Sequence, residues 1–516
     1  MTTTQGDQSN FTLDDPVSAA IRLRAPQKSG VKEHFSATDP KKEVSKNALA
    51  SKILHDRKYQ FLLILPNQII FWLVIVSGIA GTVVPGLNFA TAITWYVWFC
   101  IVFVLIAVIG RAWCAMCPFG GFAEWIQRRT LWKRLQGSMG LQLHYPQKLA
   151  TYGLLSSAAT FVLLTYIEEF FNIAGPGTPR DTSFMVIGIV TAALLSFLVF
   201  ERRTFCRYLC PLSSVIGTLG AVGSAAGFRT KDRDKCLSCN TKDCMRGGEA
   251  GYGCPWYTWP GSADSNLYCG LCSECYKACP SDNVGLFAQK PLTSVVAPSR
   301  RRADISWVVA ILMGLVLYQQ INALSWYNTL DNWLNAHTYF PHYPNPVDYF
   351  GFIGIFALGI AGLLGLGSKL VPLKVHQSPF SKRTFLTKAS SFRNWFVPGV
   401  YALIPVVATD YFARQLPKFF KHSPRLIPSI IYPFGGRANS LYNLHLLTNP
   451  EIVMVQIAVV IVGGIGSLYS AYKIANRDFE PVDSTKKTLA SAYLITVTIL
   501  LTVIMAGLYI PMHAAS

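Results

Sequence analysis

Long apolar runs recur along the whole sequence, and they constrain the fold more than any other feature. They lie near residues 61–85, 91–110, 149–168, 184–201, 304–325, 348–367, 396–413, 452–474 and 488–511. A helix needs roughly 17 to 25 apolar residues to cross a bilayer, so each run is long enough to span one. Only 14% of the residues are charged, against roughly 25% in soluble domains. The sequence therefore predicts an all-α polytopic membrane protein with about nine transmembrane helices in a lipid bilayer.

The run at 396–413 is the weakest of these, because Pro398, Pro405 and Asp410 interrupt it. The segment that follows it, "LIPSIIYPFGGRANSLYNLHLL", is typical of a re-entrant or interfacial stretch. Glu168 and Glu169, at the end of the run at 149–168, are further candidate carboxylates near the membrane. Ionisable groups in lipid are costly and are candidates for function.

The distribution of Lys and Arg predicts the orientation. Basic residues are concentrated in the N-terminal tail and in the loops at 111–148, 202–303 and 368–395, whereas 86–90 and 326–347 contain no Lys or Arg. Loops rich in Lys and Arg stay on the cytoplasmic side. We therefore expect a multi-pass protein of the inner (cytoplasmic) membrane with its N-terminus inside. The formal net charge of +19 is assigned to these loops rather than to nucleic-acid binding.

The stretch "YCGLCSECYKACP" has the spacing of a bacterial ferredoxin. It reads Cys269-x2-Cys272-x2-Cys275-x3-Cys279-Pro280, and in two-cluster ferredoxins the fourth cysteine of such a run binds the other cluster. A second motif lies upstream: Cys236-x2-Cys239-x4-Cys244-x9-Cys254-Pro255.

These spacings predict two [4Fe–4S] clusters in a ferredoxin-like α+β insert. The predicted ligands are Cys236, Cys239, Cys244 and Cys279 for cluster 1, and Cys269, Cys272, Cys275 and Cys254 for cluster 2. A zinc ribbon also uses paired C-x2-C motifs, but it does not explain a third cysteine at the next two-residue step. The irregular upstream spacing leaves a [3Fe–4S] cluster open.

Two further cysteine pairs, here called the membrane-edge pairs, each follow an apolar run and end in Cys-Pro. They are Cys114/Cys117 and Cys206/Cys210. One interpretation is two unrelated pairs of buried thiols or disulfides. The alternative is that the four cysteines meet and bind a third metal or iron–sulfur centre. Cys100, alone in an apolar run, is interpreted as a small buried hydrophobe.

The motifs divide the chain into four predicted parts. Residues 1–58 form a disordered basic cytoplasmic tail, and 59–227 a four-helix membrane domain that carries both membrane-edge pairs. Residues 228–297 are the cysteine-rich insert, and 298–516 a C-terminal membrane domain of about five helices.

The two Cys-Pro pairs at helix ends, followed by a ferredoxin-type region after the fourth helix, resemble the membrane polyferredoxins of the NapH, NosR and CcoG group. The resemblance covers roughly residues 60–300. It implies that the chain takes electrons from quinol, or passes them to a partner, through clusters on the cytoplasmic side. About five further helices lie beyond the region of resemblance.

The functional prediction is an electron relay between the quinone pool and a protein redox partner or larger membrane complex, as the electron-transfer subunit of a quinol oxidoreductase. The alternatives are a cytoplasm-facing metal reductase, a redox-driven ion transporter, and an assembly or redox-sensing factor for another respiratory enzyme. Basic residues of the insert are candidates for docking an acidic partner: Arg229, Lys231, Arg233, Lys235, Lys242, Arg246 and Lys277. In the 326–347 loop, Asp331, His337 and His342 are candidates for metal binding or proton uptake.

Overall fold

A computed structural model describes residues 40–133, 139–173, 179–223, 226–297, 301–338, 343–375, 390–437 and 439–514. Residues 1–39 of the predicted tail and His342 lie outside these ranges. The longer helices, in chain order, are α1 (Ala48–His55), α2 (Arg57–Ala80), α3 (Phe99–Ile109), α4 (Pro118–Arg128), α5 (Leu155–Phe170), α6 (Pro179–Val199), α7 (Pro211–Leu219), α8 (Ala303–Ile321), α9 (Ser325–His337), α10 (Pro346–Leu370), α11 (Ser391–His422), α12 (Asn449–Asp478) and α13 (Lys487–Gly507).

Between α7 and α8, the insert contains two short strands, β1 (Gly227–Thr230) and β2 (Val284–Phe287). They pair antiparallel, with Gly227 opposite Phe287 and Thr230 opposite Val284. The short helices Arg233–Ser238, Asp243–Arg246 and Glu274–Lys277 lie between the two strands in sequence. The sheet therefore joins the beginning of the insert to a segment near its end.

The protein is an all-α polytopic membrane protein, as the sequence predicts. Eight helical segments in the described part of the chain are long and apolar enough to cross a membrane: Arg57–Ala80, Phe89–Arg128, Pro179–Val199, Ala303–Ile321, Pro346–Leu370, Ser391–Phe434, Asn449–Asp478 and Ser484–Pro511. The remaining predicted run, 149–168, becomes α5. Its 16 residues extend about 24 Å, and the short helix Gln147–Ala150 with the turn after it lengthens the segment toward the roughly 30 Å of a hydrocarbon core.

The two membrane halves share one hydrophobic core. Side chains of α3, α5 and α7 pack with those of α8 and α11 in a single buried cluster, which includes Ile106, Phe161, Leu219, Leu312 and Tyr401. The predicted boundary at 297/298 thus marks the end of the insert rather than a division between two separate cores.

Helix α11 is continuous for 32 residues despite three internal prolines. Pro405 has no N–H, so it cannot donate the hydrogen bond that a helical residue makes to the carbonyl four residues earlier. The N–H of the next residue, Val406, donates to the Ser467 hydroxyl of α12 at 3.0 Å. Neighbouring helices commonly satisfy backbone groups freed by proline in membranes. This contact explains how an interrupted apolar run forms an unbroken helix, and the segment after it forms the short helix Leu426–Ile431.

Two of the three carboxylates singled out near the membrane, Asp410 and Glu169, have hydrogen-bond partners on other helices. Asp410 is fully buried and accepts hydrogen bonds from the Gln320 amide at 3.0 Å and the Tyr509 hydroxyl at 2.7 Å. Glu169 accepts from the Gln319 amide at 3.1 Å. Such pairing is expected of ionisable groups inside a membrane protein.

Asp331 and His337 do not face a common site. The Asp331 carboxylate is buried and accepts hydrogen bonds from the Asn345 backbone N–H and the Asn335 side chain. The exposed His337 ring bonds instead to the Trp333 carbonyl and stacks on the Trp333 ring. Asp331 therefore holds the start of α10 in place.

Residues 40–58 correct the expectation of a disordered tail, because they are folded against the insert. The Asn47 side chain caps the N-terminus of α1, which satisfies free N–H groups of its first turn. Ser51 on α1 bonds to the Tyr276 hydroxyl at 3.2 Å, and Arg57 pairs with Glu274 at 3.2 Å. The polar composition of this segment thus reflects contacts with the insert.

We predict that Ser467→Ala destabilises the protein by about 1–3 kcal/mol, because the Val406 N–H loses its partner in a buried position. The measurement is the thermal midpoint of the detergent-solubilised protein. Ser470→Ala is the matched control, since the Ser470 hydroxyl bonds only within its own helix, to the Gly466 carbonyl. Equal midpoints for the two variants would contradict the role given to Ser467.

Candidate iron–sulfur site

The membrane-edge pairs are built in the same way. Cys117 is the N-cap of α4 and Cys210 the N-cap of α7, and each is followed by a proline in the first turn, where proline suits a helix start. Backbone N–H groups of Phe119 and Gly120 hydrogen-bond to the Cys117 thiol, and those of Leu212 and Ser213 to the Cys210 thiol. Each pair thus presents one sulfur at a helix N-terminus, where the N–H groups and the helix dipole offset part of the cost that burial imposes on a thiolate.

Two arginines cross between the pairs. Arg203, three residues before Cys206, donates to the Cys114 carbonyl at 2.8 Å. Arg111, three residues before Cys114, donates to the Ser213 hydroxyl at 2.5 Å, and that hydroxyl donates to the Cys206 carbonyl at 2.6 Å. Each arginine therefore holds the cysteine loop of the other pair.

The four thiols of these pairs lie close together. Burial raises the pKa of the Cys206 thiol well above its usual value; Arg203 lowers it, and the thiols of Cys210, Cys117 and Cys114 raise it further. A Cβ atom added at Gly120 would lie 3.3 Å from the Cys206 sulfur, so the turn after Cys117 directly faces the second pair. The structure thus brings together two pairs that are about ninety residues apart in the sequence.

In the insert, Asn283 connects two cysteines that the sequence assigns to cluster 1. Its side-chain amide donates to the Cys236 sulfur at 3.3 Å, and its backbone N–H donates to the Cys279 sulfur at 3.2 Å. The Thr230 hydroxyl also lies 3.0 Å from the Cys236 sulfur. Cys279, from the end of the ferredoxin-type run, therefore lies with the upstream motif, as the crossed ligand pattern requires.

Cys244 completes this first group. Burial raises the pKa of its thiol, and the neighbouring thiols of Cys236, Cys279, Cys254 and Cys239 raise it further. Three of these four neighbours are the other predicted ligands of cluster 1.

The second group surrounds Cys275. Burial raises the pKa of its thiol well above the usual value, and the thiols of Cys254, Cys269, Cys272 and Cys244 add to the rise. The first three are the predicted partners of Cys275 in cluster 2. The first and second cysteine groups contact each other where the Cys254 N–H donates to the Cys244 carbonyl at 2.8 Å.

Ten of the twelve motif cysteines lie in one packed cluster. They come from the membrane-edge pairs and from both groups of the insert: Cys114, Cys206, Cys210, Cys236, Cys244, Cys254, Cys269, Cys272, Cys275 and Cys279. All thirteen cysteines fall within the described residues, and none of them forms a disulfide. Cys100 is buried in α3, apart from this cluster.

Across the described residues, no group of three or more His, Cys, Asp or Glu side chains is arranged to hold a single metal ion. In a tetrahedral zinc site the thiolates would be about 3.8 Å apart, given Zn–S bonds of about 2.3 Å. Cysteines around a [4Fe–4S] cluster stand farther apart, because four irons and four sulfides lie between them.

Two tryptophans leave buried donors beside these cysteines. The indole N–H groups of Trp256 and Trp259 are buried and have no hydrogen-bond partner among the described residues. Trp256 packs against Gly270, between Cys269 and Cys272, where an added Cβ would lie 2.5 Å from its indole nitrogen. Buried donors without partners are rare, and cluster sulfides accept such bonds. The donor set therefore fits iron–sulfur clusters.

Two of the predicted docking residues are not on the surface. Arg229 is buried and donates to the Asn266 side chain at 3.0 Å. Lys277 is buried and bonds to Gln60 at 2.8 Å and to Glu274 at 3.3 Å. Both serve the packing of the insert, because a buried charge requires a partner.

Comparison with known proteins supports the iron–sulfur interpretation of the membrane-edge pairs. A family model described as "4Fe-4S binding domain" matches residues 91–137 and 182–227. The first match contains Cys114 and Cys117, and the second contains Cys206 and Cys210. The chain is a membrane iron–sulfur electron-transfer protein. Neither match extends into residues 228–297.

Two curated proteins are similar to parts of the chain. The ferredoxin-type protein NapH of Escherichia coli is 28% identical over 150 residues, which are 28% of this chain and 50% of NapH. An uncharacterized protein of Methanocaldococcus jannaschii, MJ0750, is 24% identical over 187 residues, 35% of this chain and 74% of that protein. The chain thus spans half of NapH, and it resembles the NapH type over a segment. No solved structure matches.

Sequence reasoning missed Arg111, Arg203, Asn283 and Trp256. A signal existed for the arginines, since "RAWC" and "RTFC" place Arg three residues before the first cysteine of each pair. Comparing the two pairs as an internal repeat would have found them. The contacts of Asn283 and Trp256 depend on tertiary folding and have no sequence pattern.

We predict that Trp256→Phe lowers the midpoint potential of one cluster by about 40 mV. Removing a hydrogen bond of about 1 kcal/mol from the reduced cluster corresponds to that shift for one electron. The measurement is an EPR-monitored redox titration. Trp307→Phe, which alters a ring packed on Phe396 in the membrane domain, should change no potential, and a shift common to both variants would contradict the assignment.

Proposed function

We propose that the protein relays electrons between the quinone pool and a protein redox partner. The electrons would pass through two [4Fe–4S] clusters in the insert and a third centre at the membrane edge. The observation that carries this proposal is the single packed cluster of ten cysteines, which extends from helix ends of the membrane domain into the insert. Adjacent clusters suit a chain of electron transfers, because transfer slows steeply with distance.

In this proposal, the ligands of the insert are those of the ferredoxin pattern. Cluster 1 is held by Cys236, Cys239, Cys244 and Cys279, and cluster 2 by Cys254, Cys269, Cys272 and Cys275. The double hydrogen bond of Asn283 to Cys236 and Cys279 supports the first set. The thiol neighbours of Cys275 support the second.

The third centre is proposed to be a [4Fe–4S] cluster bound by Cys114, Cys117, Cys206 and Cys210. Each of the two matches to the 4Fe-4S model contains one membrane-edge pair. A cluster with four cysteine ligands therefore needs both pairs. The reciprocal contacts of Arg111 and Arg203 support that arrangement. When bound, the cluster supplies one-electron redox chemistry next to the bilayer.

We further propose that the insert faces the cytoplasm from the inner membrane, on the basis of the Lys and Arg distribution. An acidic redox partner or a larger membrane complex would then dock on exposed basic side chains, of which Lys235 is an example.

The test of this function uses the anaerobically purified protein in lipid nanodiscs. Addition of a quinol should produce EPR signals of reduced clusters. Clusters that stay oxidised with quinol yet are reduced by dithionite would overturn the link to the quinone pool. They would favour the assembly, sensing or metal-reductase alternatives.

We predict about twelve irons per chain, four in each of three clusters. Cys210→Ala should lower the count to about eight, because the third centre loses a ligand. Cys100→Ala is the matched control and should leave the count unchanged. Iron and acid-labile sulfide analysis measures both variants, and an unchanged count in Cys210→Ala would exclude the third cluster.

A further inference from the structure

A cavity of about 130 Å³ lies where the membrane domain meets the insert. It is bounded by the first turns of α2, the end of α4, the segment 130–133 and the loop of the insert around Cys272. Ala115 and Met116, the two residues between Cys114 and Cys117, line its other side. A molecule bound there would lie beside the Cys114/Cys117 loop and beside Cys272 of the insert.

The size of the cavity suits a single six-membered ring. An apolar cavity of about 150 Å³ in another protein accepts benzene, so this slightly smaller cavity accommodates about one ring, and ring substituents or a chain must lie at its open mouth. The ligand must therefore keep any longer portion outside the cavity.

The rim of the cavity offers a place for that portion. Leu63, Leu131 and Trp132 line the cavity and are 51%, 46% and 38% exposed. Leu63 belongs to the membrane-spanning α2, so its exposed side faces lipid. A hydrophobic tail leaving the cavity along these side chains would enter the bilayer.

The polar lining includes a donor without a partner. Arg57 uses one terminal nitrogen for the Ala250 carbonyl and the Glu274 carboxylate, while its buried Nε–H is unpaired among the described residues. A small rotation of the Arg57 side chain would turn this N–H into the cavity, where an oxygen on the bound ring would accept its hydrogen bond. Gln60 is already committed, since it donates to the Cys272 carbonyl and the Ser273 hydroxyl and accepts from Lys277.

The cavity's carboxylates stay paired with cations. The Glu274 carboxylate pairs with Arg57 at 3.2 Å and with Lys277 at 3.3 Å. Glu124 bonds to Arg128 and Arg203, each at 2.5 Å. A neutral ligand with oxygen acceptors therefore fits this lining better than an anion or a cation.

We propose that this cavity binds the head group of a quinol, with its isoprenoid tail in the bilayer. The inference rests on the proposed link to the quinone pool and gives that link a location. A neutral ring with two oxygens and a long apolar tail matches the volume, the free Arg57 donor and the lipid-facing rim.

Oxidation of a quinol in this cavity releases two electrons and two protons. The quinol breaks its two O–H bonds and becomes the quinone. Its two electrons leave singly to the adjacent clusters, which a protein redox partner reoxidises, and its two protons pass to the water at the cavity mouth.

A larger groove of about 530 Å³ between α5 and α6 is the rival location. It ends beside Cys206 and Cys210, at Phe205, Leu209 and Pro211, but its lining is almost entirely apolar. Such a groove suits a lipid acyl chain, because it offers few partners to the oxygens of a quinol head.

The experiment uses an azido-quinone photolabel on the cluster-loaded full chain in nanodiscs, with labelled peptides identified by mass spectrometry. We expect adducts within residues 53–64 or 124–133. Arg57→Lys keeps the charge opposite Glu274 but removes the Nε–H, and it should weaken labelling about tenfold, as the loss of one charge-assisted hydrogen bond implies. Ile53→Trp, which fills the cavity from α1, should have the same effect.

The matched control is Gly188→Phe in the rival groove, where an added Cβ meets no atom within 4 Å. It should leave labelling unchanged, and iron content should be equal in all variants. Labelling confined to residues 160–192 and lost in Gly188→Phe would overturn the location while quinol still reduces the clusters. A protein that is neither labelled nor reduced by quinol would overturn the proposed function itself.

Discussion

The reciprocal contacts of Arg111 and Arg203 are the interaction on which the candidate site depends. Both guanidinium groups are buried, and burying a charge is costly unless partners surround it. Each arginine finds those partners in the cysteine loop of the other pair, and Arg203 also pairs with Glu124. Two segments about ninety residues apart must therefore close on each other, and the four membrane-edge thiols come together as a result.

The insert is bound to the two membrane-edge cysteine loops, and to the helices beside them, by several hydrogen bonds. Arg111 reaches the Leu267 carbonyl at 2.6 Å, and Arg202 reaches the Met245 and Cys254 carbonyls at 2.6 and 2.9 Å. Helices α1 and α2 hold the segment around Cys272 and Tyr276 through Gln60 and Ser51. The cysteine groups thus keep a fixed position relative to the bilayer, which a relay between membrane and partner requires.

The sequence predicts the parts of this protein better than their assembly. Apolar runs locate the membrane helices, because each must cover a bilayer's thickness, and cysteine spacing locates the insert. The run at 396–413 is the weakest prediction because of its prolines. The residue that accepts the hydrogen bond of Val406 there, Ser467, lies 61 residues away in the sequence. The folding of residues 40–58 also depends on residues distant in sequence. Ser51 contacts Tyr276 and Arg57 contacts Glu274, and no local sequence pattern predicts these contacts.

If the membrane-edge pairs and the insert hold neighbouring clusters in one path, the reduced clusters interact magnetically. Low-temperature EPR of the fully reduced protein measures this interaction and, by integration, the number of spins. We expect three spins per chain with spectra broadened by mutual interaction, and a simpler two-spin spectrum when a membrane-edge ligand is replaced. Narrow, uncoupled signals, or the same spectrum with and without that ligand, would contradict it.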